Sequence, residues 1–251
     1  MKNLFIDIET APNLVYSWGL WDQNIAINQI VDPGYTLCWA AKWGDSKSIL
    51  FSSIFDDGKD AMLNGAAALL NEADVVTHYN GKSFDIPVLN KEFLENKIAR
   101  PSPYKQVDLL HVMRKNFRFP SNKLSYISRA LNLGDKLQHK GMDLWKECMA
   151  GDPKAWKVME KYNVKDVKLL EQLYYEVLPW IDGHPNVALY GNADAPSCPN
   201  CGSHSLERRG FYTANTQRYQ RYRCRDCGSW SRTRFTEVAK EERVNILAGA
   251  R

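Results

Sequence analysis

Apolar and polar positions begin to alternate within the first few residues. Asn3-Leu-Phe-Ile-Asp-Ile reads as a strand over residues 2–8, and Thr36–Trp43 and Ser48–Phe51 are further strand candidates rich in β-forming side chains. The period then changes. Met62, Leu63, Ala66, Leu69 and Leu70 recur at spacings of three and four, which predicts a helix over 59–72. A short apolar run, Asp74–His78, predicts a buried strand. Ser83 is a candidate cap for a helix reaching about Lys97, and Val107–Leu110 predicts another strand. Helices are predicted over Lys123–Leu131, Asp143–Met149 and, longest, Pro153–Val177. Strands early and helices late indicate an α/β domain with a mixed sheet.

The last of these patterns stops near Pro179, and turn-rich sequence continues to Pro196. This predicts a first domain over 1–182, a linker over 183–196, a cysteine-containing module over 197–236 and a tail over 237–251 with a helix from Glu237 to Leu247. No internal repeat or low-complexity stretch interrupts the order.

Composition narrows the class without choosing a function. With 251 residues, 44% hydrophobic and 25% charged, the chain is neither disordered nor fibrous. Acids interrupt the first apolar run, unlike a secretory signal, and no segment approaches the roughly 18–20 apolar residues of a membrane span. The expectation is a soluble, cytoplasmic protein with no membrane partner. Charge is more informative once divided. Residues 198–235 hold eight arginines against Glu207 and Asp226, net +6, so the +4 of the whole chain leaves −2 for residues 1–197. An acidic body beside an arginine-rich module points to an anionic partner such as nucleic acid.

The candidate chemistry lies in two sets of residues. Asp7 and Glu9 fall two apart on the first strand, hence on one face about 6–7 Å apart at the backbone. Like charges so close favour a bridging cation. Asp85 follows Asn80 and Phe84 and falls in the first turn of a predicted helix. Tyr162 and Asp166 share a helical face at spacing four. Each piece alone reads as ordinary surface, cap or core. His78 and His139 have no ligand spacing and read as structural, while Asp108 and His111 are distractors, Asp108 being assigned no metal. Trp18, Trp21, Trp39 and Trp43 could stack on bases, although packing or loop anchoring explains most of them.

Taken in order, Asp-x-Glu, Asn-x-x-x-Phe-Asp and Tyr-x-x-x-Asp resemble the tyrosine-type branch of the DEDD 3′–5′ exonucleases, which have a ribonuclease H-like fold. The likeness covers about residues 1–180, and His78-Tyr-Asn-Gly is also similar to the segment preceding that family's third carboxylate. It implies that Asp7, Glu9, Asp85 and Asp166 hold two Mg²⁺ or Mn²⁺ ions, that Tyr162 orients the attacking water, and that Asn80 and Phe84 touch the substrate strand. Hard oxygen ligands suit those ions.

The second set is Cys198-x₂-Cys201, 22 residues, Cys224-x₂-Cys227. Four thiolates at this spacing can surround one structural Zn²⁺, and Gly202 and Gly228 permit the sharp knuckle turns. Arg208–Thr213 and Arg218–Arg223 read as a hairpin between the knuckles, an arrangement that resembles a zinc ribbon. Cys38 and Cys148 stand apart. Arg218, Arg221, Arg223 and Arg232, interleaved with Tyr222 and Trp230, offer phosphate forks and stacking surfaces. The reading is therefore an α/β, ribonuclease H-like nuclease with a small C-terminal four-cysteine zinc ribbon gripping nucleic acid, DNA ahead of RNA and single strands ahead of duplex. Two alternatives stand beside it: a non-catalytic nucleic-acid-binding protein, and a nuclease subunit whose ribbon docks on a replication or repair protein.

Overall fold

A computed structural model describes residues 1–191 and 194–250. Positions 192 and 193 of the predicted linker and residue 251 of the predicted tail lie outside the described residues. The chain separates into two compact units, one over Lys2–Tyr174 and one, joined by Met1, from Tyr175 onward.

The first unit begins with β1 (Asn3–Thr10), β2 (Leu14–Val15), β3 (Ile30–Asp32), β4 (Thr36–Trp43) and β5 (Ile49–Ser53). After these come α1 (Lys59–Glu72), β6 (Val75–His78), α2 (Asp85–Glu95), β7 (Lys105–Asp108) and α3 (Leu109–Asn116). Three more helices complete it: α4 (Leu124–Ala130), α5 (Met142–Met149) and α6 (Pro153–Val177), the last of which carries on past the division between the units. The main sheet has the order β5-β4-β1-β6-β7. Neighbours β1, β4 and β5 are antiparallel, whereas β1, β6 and β7 run parallel. The parallel strands are joined through helices, as a parallel crossover requires.

β1 sits at the centre, and its period of two gives it two different faces. Leu4, Ile6 and Ile8 enter a core with Met62, Leu63 and Ala66 of α1 and Ile86, Leu89 and Phe93 of α2. On the opposite face Phe5 meets Tyr174 of α6 edge-on at 5.2 Å, and Asp7 and Glu9 continue along that face. A second cluster packs Leu37 and Cys38 of β4 against Leu144 and Cys148 of α5 and Trp156 and Met159 of α6. The two cysteines outside the knuckles are thus core residues. The Trp156 indole donates to Cys148 O at 2.9 Å and ties the start of α6 to the end of α5.

Several elements differ from the sequence reading, each for a local reason. Ser83 caps nothing: Ser83 N and Phe84 N both donate to Asn80 O at 3.1 Å, so the turn consumes these residues and α2 starts at Asp85. The strand predicted at 107–110 ends at Asp108, whose carboxylate accepts from Leu110 N and starts α3 instead. The pair β2 and β3 has no counterpart in the prediction, and the excursion between them leaves Trp18 and Trp21 exposed, while Trp39 is buried with its indole donating to Met62 O.

In the second unit β8 (Leu206–Ala214), β9 (Gln217–Cys224) and β10 (Trp230–Arg232) form an antiparallel sheet of order β10-β9-β8. The hairpin matches the prediction and β10 adds to it. The predicted terminal helix is only the single turn α7 (Lys240–Arg243). Val244 and Leu247 are exposed, so no buried face supports a longer one. Among the described residues no helix is long and apolar enough to cross a membrane.

Candidate active site and cysteine centre

Strand β1 delivers Asp7 and Glu9, and α6 crosses the same face to deliver Asp166. One carboxylate oxygen from each lies within 4.8 Å of the others. Asp85 stands beside this trio rather than inside it. Its Oδ1 accepts from Ile8 N at 3.1 Å, which pins the start of α2 to the end of β1. Asp7 is oriented by Asn163, whose Nδ2 donates to Asp7 Oδ2 at 2.7 Å and to Asp7 O at 3.2 Å. Sequence reasoning missed Asn163, although it lies inside the Tyr-x-x-x-Asp motif and faces the sheet.

Lys136 is the larger omission. Its ammonium donates to Asp166 Oδ2, lies 3.5 Å from the Tyr162 hydroxyl and sits 5.3 Å from the centre of that ring. No motif spacing could have found it, because its partners are 26 and 30 residues away. Tyr162 is held edge-on by His139 at 4.8 Å and Trp145 at 6.0 Å. His139 therefore helps to seat the tyrosine.

The acids are strongly perturbed. Burial, reinforced by Asp85, Glu9 and Asp166, pushes the Asp7 carboxyl well above the usual carboxylate range. Burial and the Asp166 charge push Glu9 up to about 8. Asp85 rises to about 6, burial outweighing the stabilising Ile8 N–H. Asp166 is raised by burial and drawn back by Lys136. For Lys136 itself burial acts downward, but Asp166 and Tyr162 hold its ammonium above the ordinary lysine value. The tyrosine hydroxyl is raised by burial and by Asp166. One ammonium does not balance this many acids, and Asp166 Oδ1 is buried with no hydrogen-bond partner. An orphaned carboxylate oxygen among three converging acids fits a hard divalent cation.

The loop that carries Asn80 and Phe84 is built from behind. Asp108 accepts from Asn80 N at 2.9 Å and Lys82 N at 3.3 Å, and Gly81 N donates to His78 Nδ1 at 3.1 Å. A Cβ on Gly81 would stand 2.4 Å from His78 Cγ, so only glycine fits. Asp108 and His78 are thus supports for the loop. Asn80 and Phe84 are partly exposed at its tip.

The cysteine centre of the second unit is simpler. Gly202 N donates to Cys198 O at 2.9 Å, and Gly228 N to Cys224 O at 3.1 Å. Both glycines have left-handed φ, +78° and +76°, so the two knuckles have the same local form. All four sulfurs lie within 4.8 Å of one another. The pairs Cys198–Cys227 and Cys201–Cys224 are 3.6 Å apart. That is far beyond a disulfide and close to the roughly 3.8 Å edge of a tetrahedron with Zn–S bonds of about 2.3 Å. Burial acts upward on Cys224, yet the amides of Cys227 and Asp226 hold its thiol down to about 7.

Register divides the arginine-rich sheet. Tyr219, Arg221 and Arg223 alternate onto one face of β9, beside their partners Tyr212, Arg232 and Trp230. There Arg221 lies over the Trp230 ring at 4.7 Å and Arg232 over Tyr219 at 4.0 Å. Arg218 and Tyr222 point to the other face, where Arg218 covers Phe211 at 4.8 Å.

Residues 4–178 match the family model described as the RNase_H superfamily. No curated protein matches the chain. Among solved structures the fold is similar to part of the family B DNA polymerase from the hyperthermophilic archaeon Pyrobaculum calidifontis, with a TM-score of 0.54 and 16% identity. The likeness covers 71% of this chain and 24% of the polymerase, so the chain spans about a quarter of that protein. At this identity the likeness is one of fold. The family match runs from within β1 through the end of α6 and encloses Asp7, Glu9, Asp85 and Asp166. On that extent, and with the sheet order and helical connections described above, the chain belongs to the RNase H superfamily.

Proposed function

We propose that the protein is a 3′–5′ exonuclease dependent on Mg²⁺ or Mn²⁺, in which Asp7, Glu9, Asp85 and Asp166 hold the catalytic ions. The observation that carries this reading is the convergence of Asp7, Glu9 and Asp166, the last with a buried, unpartnered Oδ1. When bound, two such ions supply activation of a water and neutralisation of charge on the leaving oxygen. The chain's own groups do the rest. Tyr162, fixed by His139 and Trp145 and kept protonated by its raised pKa, presents a hydroxyl that orients the attacking water. Lys136 offsets part of the acid charge at Asp166. Asn80 and Phe84 project from the braced loop toward the end of a substrate strand. The polarity of attack is supported by the order of the three motifs.

The tasks divide between the predicted domains, 1–182 for hydrolysis and 197–236 for grip. One structural Zn²⁺ held by Cys198, Cys201, Cys224 and Cys227 leaves no open position for chemistry. The face bearing Arg221, Arg223, Arg232 and Trp230 combines phosphate-binding forks with a stacking surface, and Arg218 and Tyr222 extend the charge to the opposite face. DNA stands ahead of RNA as substrate, and single strands ahead of duplex. The test offers end-labelled single-stranded DNA, duplex DNA and RNA to the full chain with Mg²⁺, with chelator, and as Asp7→Ala. Shortening from the 3′ end that needs Mg²⁺ and Asp7 supports the reading. Binding without cleavage under every condition would leave the chain a nucleic-acid-binding protein.

A further inference from the structure

α6 carries a feature that the proposed chemistry does not use. Lys154, Lys157, Lys161, Lys165 and Lys168 follow one another at spacings of three and four. On a helix that spacing draws a single stripe, and its rise of about 1.5 Å per residue gives the stripe a length of roughly 21 Å. Lys165 is half-buried and the other four are exposed. Against them this stretch of the helix has only Glu160, off the stripe, and the buried Asp166. Nearby Lys140 and Lys146 pair with Glu147 and Asp143, whereas among the described residues none of the five stripe lysines is paired with an acid.

The C-terminal part of the stripe also walls a groove. Lys161, Val164, Lys165 and Lys168 form one side, and Lys136 and Leu137 of the segment between α4 and α5 form the other, around a cavity of about 550 Å³. The acid on its rim, Asp135, is paired with Arg129 at 2.9 Å. Lys136 connects the groove to the acid cluster, because its ammonium reaches Asp166. A row of unpaired ammonium groups leading to a nuclease-like centre has the chemistry of a phosphate track. Lysines give point-charge contacts without base readout, which suits a strand that shifts as nucleotides leave its end.

We propose that this stripe and groove bind the phosphate backbone of a single-stranded nucleic acid whose end lies at the acid cluster. The proposal rests on the exonuclease reading of that cluster. It also means that the first unit carries its own grip on a polyanion, in addition to the arginine-rich ribbon.

The experiment measures binding of a long oligothymidylate to the full chain without added Mg²⁺ over a salt series. It compares the wild type with Lys161→Gln/Lys165→Gln/Lys168→Gln and with the same triple change to Arg. Loss of three single-strand phosphate contacts should lower the log–log salt slope by about 2 and weaken binding on the order of 50-fold at physiological salt. The arginine variant should restore both. An unchanged slope, or a loss that arginine does not restore, would overturn the track and leave the lysines a solvated helix face. Should the triple variant lose its helical circular dichroism, Lys161→Gln and Lys168→Gln singly carry the same test at about 0.7 in slope each. Turnover of the same strand by the wild type in Mg²⁺ is followed in parallel. Its absence would count against the exonuclease reading, whereas the salt slope alone decides the track.

Discussion

The acid cluster and the cysteine centre both gather metal-ligating side chains, but they are assembled in opposite ways. The cysteine centre repeats one local turn twice, each with its own glycine and its own amide-to-carbonyl bond. Its geometry is largely contained in two short segments. The acid cluster draws Asp7 and Glu9 from a central strand and Asp166 from the last long helix, with Asp85 beside them at a helix start, and Lys136 from a connecting segment offsets part of its charge. No part of it is stable as a cluster before the sheet and α6 are in place. A locally encoded site depends on its ligand for order, whereas a tertiary site depends on the whole domain and can carry strained charge because that domain holds it.

The largest effect that would sharpen this contrast is in the cysteine centre. Structural zinc supplies about 10–16 kcal/mol of apparent binding free energy in small modules. Cys198→Ser or Cys224→Ser should therefore release one zinc per chain, read by metal analysis, and collapse the amide NMR dispersion of residues 198–235. Signals of the first unit should stay. A ribbon that kept its dispersion without metal would break the contrast.

Next comes catalysis in the acid cluster. Asp7→Ala and Asp166→Ala each remove a carboxylate from the converging trio. Losing several kcal/mol of transition-state stabilisation should lower single-turnover cleavage by about 10³-fold or more, with zinc content unchanged. Near-wild-type cleavage by either variant would remove the trio from the mechanism.

Lys136→Met tests whether tertiary charge balance holds the cluster together. Breaking a largely buried pair by removing one partner costs about 3 kcal/mol. Denaturant unfolding without Mg²⁺ should show that loss, and added Mg²⁺ should recover part of it by binding the acids left behind. An equal loss with and without Mg²⁺ would reduce Lys136 to a packing role.

The smallest effect is a pH dependence confined to the first unit. Burial holds His78 below its ordinary pKa, so the imidazole is neutral when folded, accepting from Gly81 N and facing Gln106 at 3.0 Å. As pH falls below about 6.5 the unfolded chain takes up this proton before the folded one does. Stability is therefore lost on acidification, by at most about 1.4 kcal/mol per pH unit. Burial of Glu9 and Asp85 acts in the opposite sense, so the readout is the difference between the wild type and His78→Gln. A difference that stays flat between pH 7 and pH 5 would show that His78 bears no part of the loop.

Much of this molecule is written in local periodicity. The alternation in Asn3–Thr10 placed Asp7 and Glu9 on one face, the spacing of four brought Tyr162 and Asp166 to one side of α6, and the two Cys-x₂-Cys-Gly knuckles announced a four-sulfur centre. These readings needed only the 2.0 and 3.6 repeats of strand and helix and the left-handed turn that glycine permits. Ends of elements were harder to read. At Ser83 and after Asp108 the structure departs from the periodic pattern because turn hydrogen bonds compete with capping, and that competition depends on what Asn80 and Asp108 meet.

Residue order alone supplies the inventory: an acid-bearing strand, a tyrosine- and acid-bearing helix, a paired-cysteine ribbon and an uneven charge. Tertiary structure alone decided which members meet. Lys136 on Asp166, Asn163 on Asp7, His139 against Tyr162 and the lysine groove beside α6 join residues that no repeat relates. Their proximity follows from how the helices pack on the sheet. Side-chain periodicity fixes the face from which a residue departs, whereas long-range packing fixes what that face encounters.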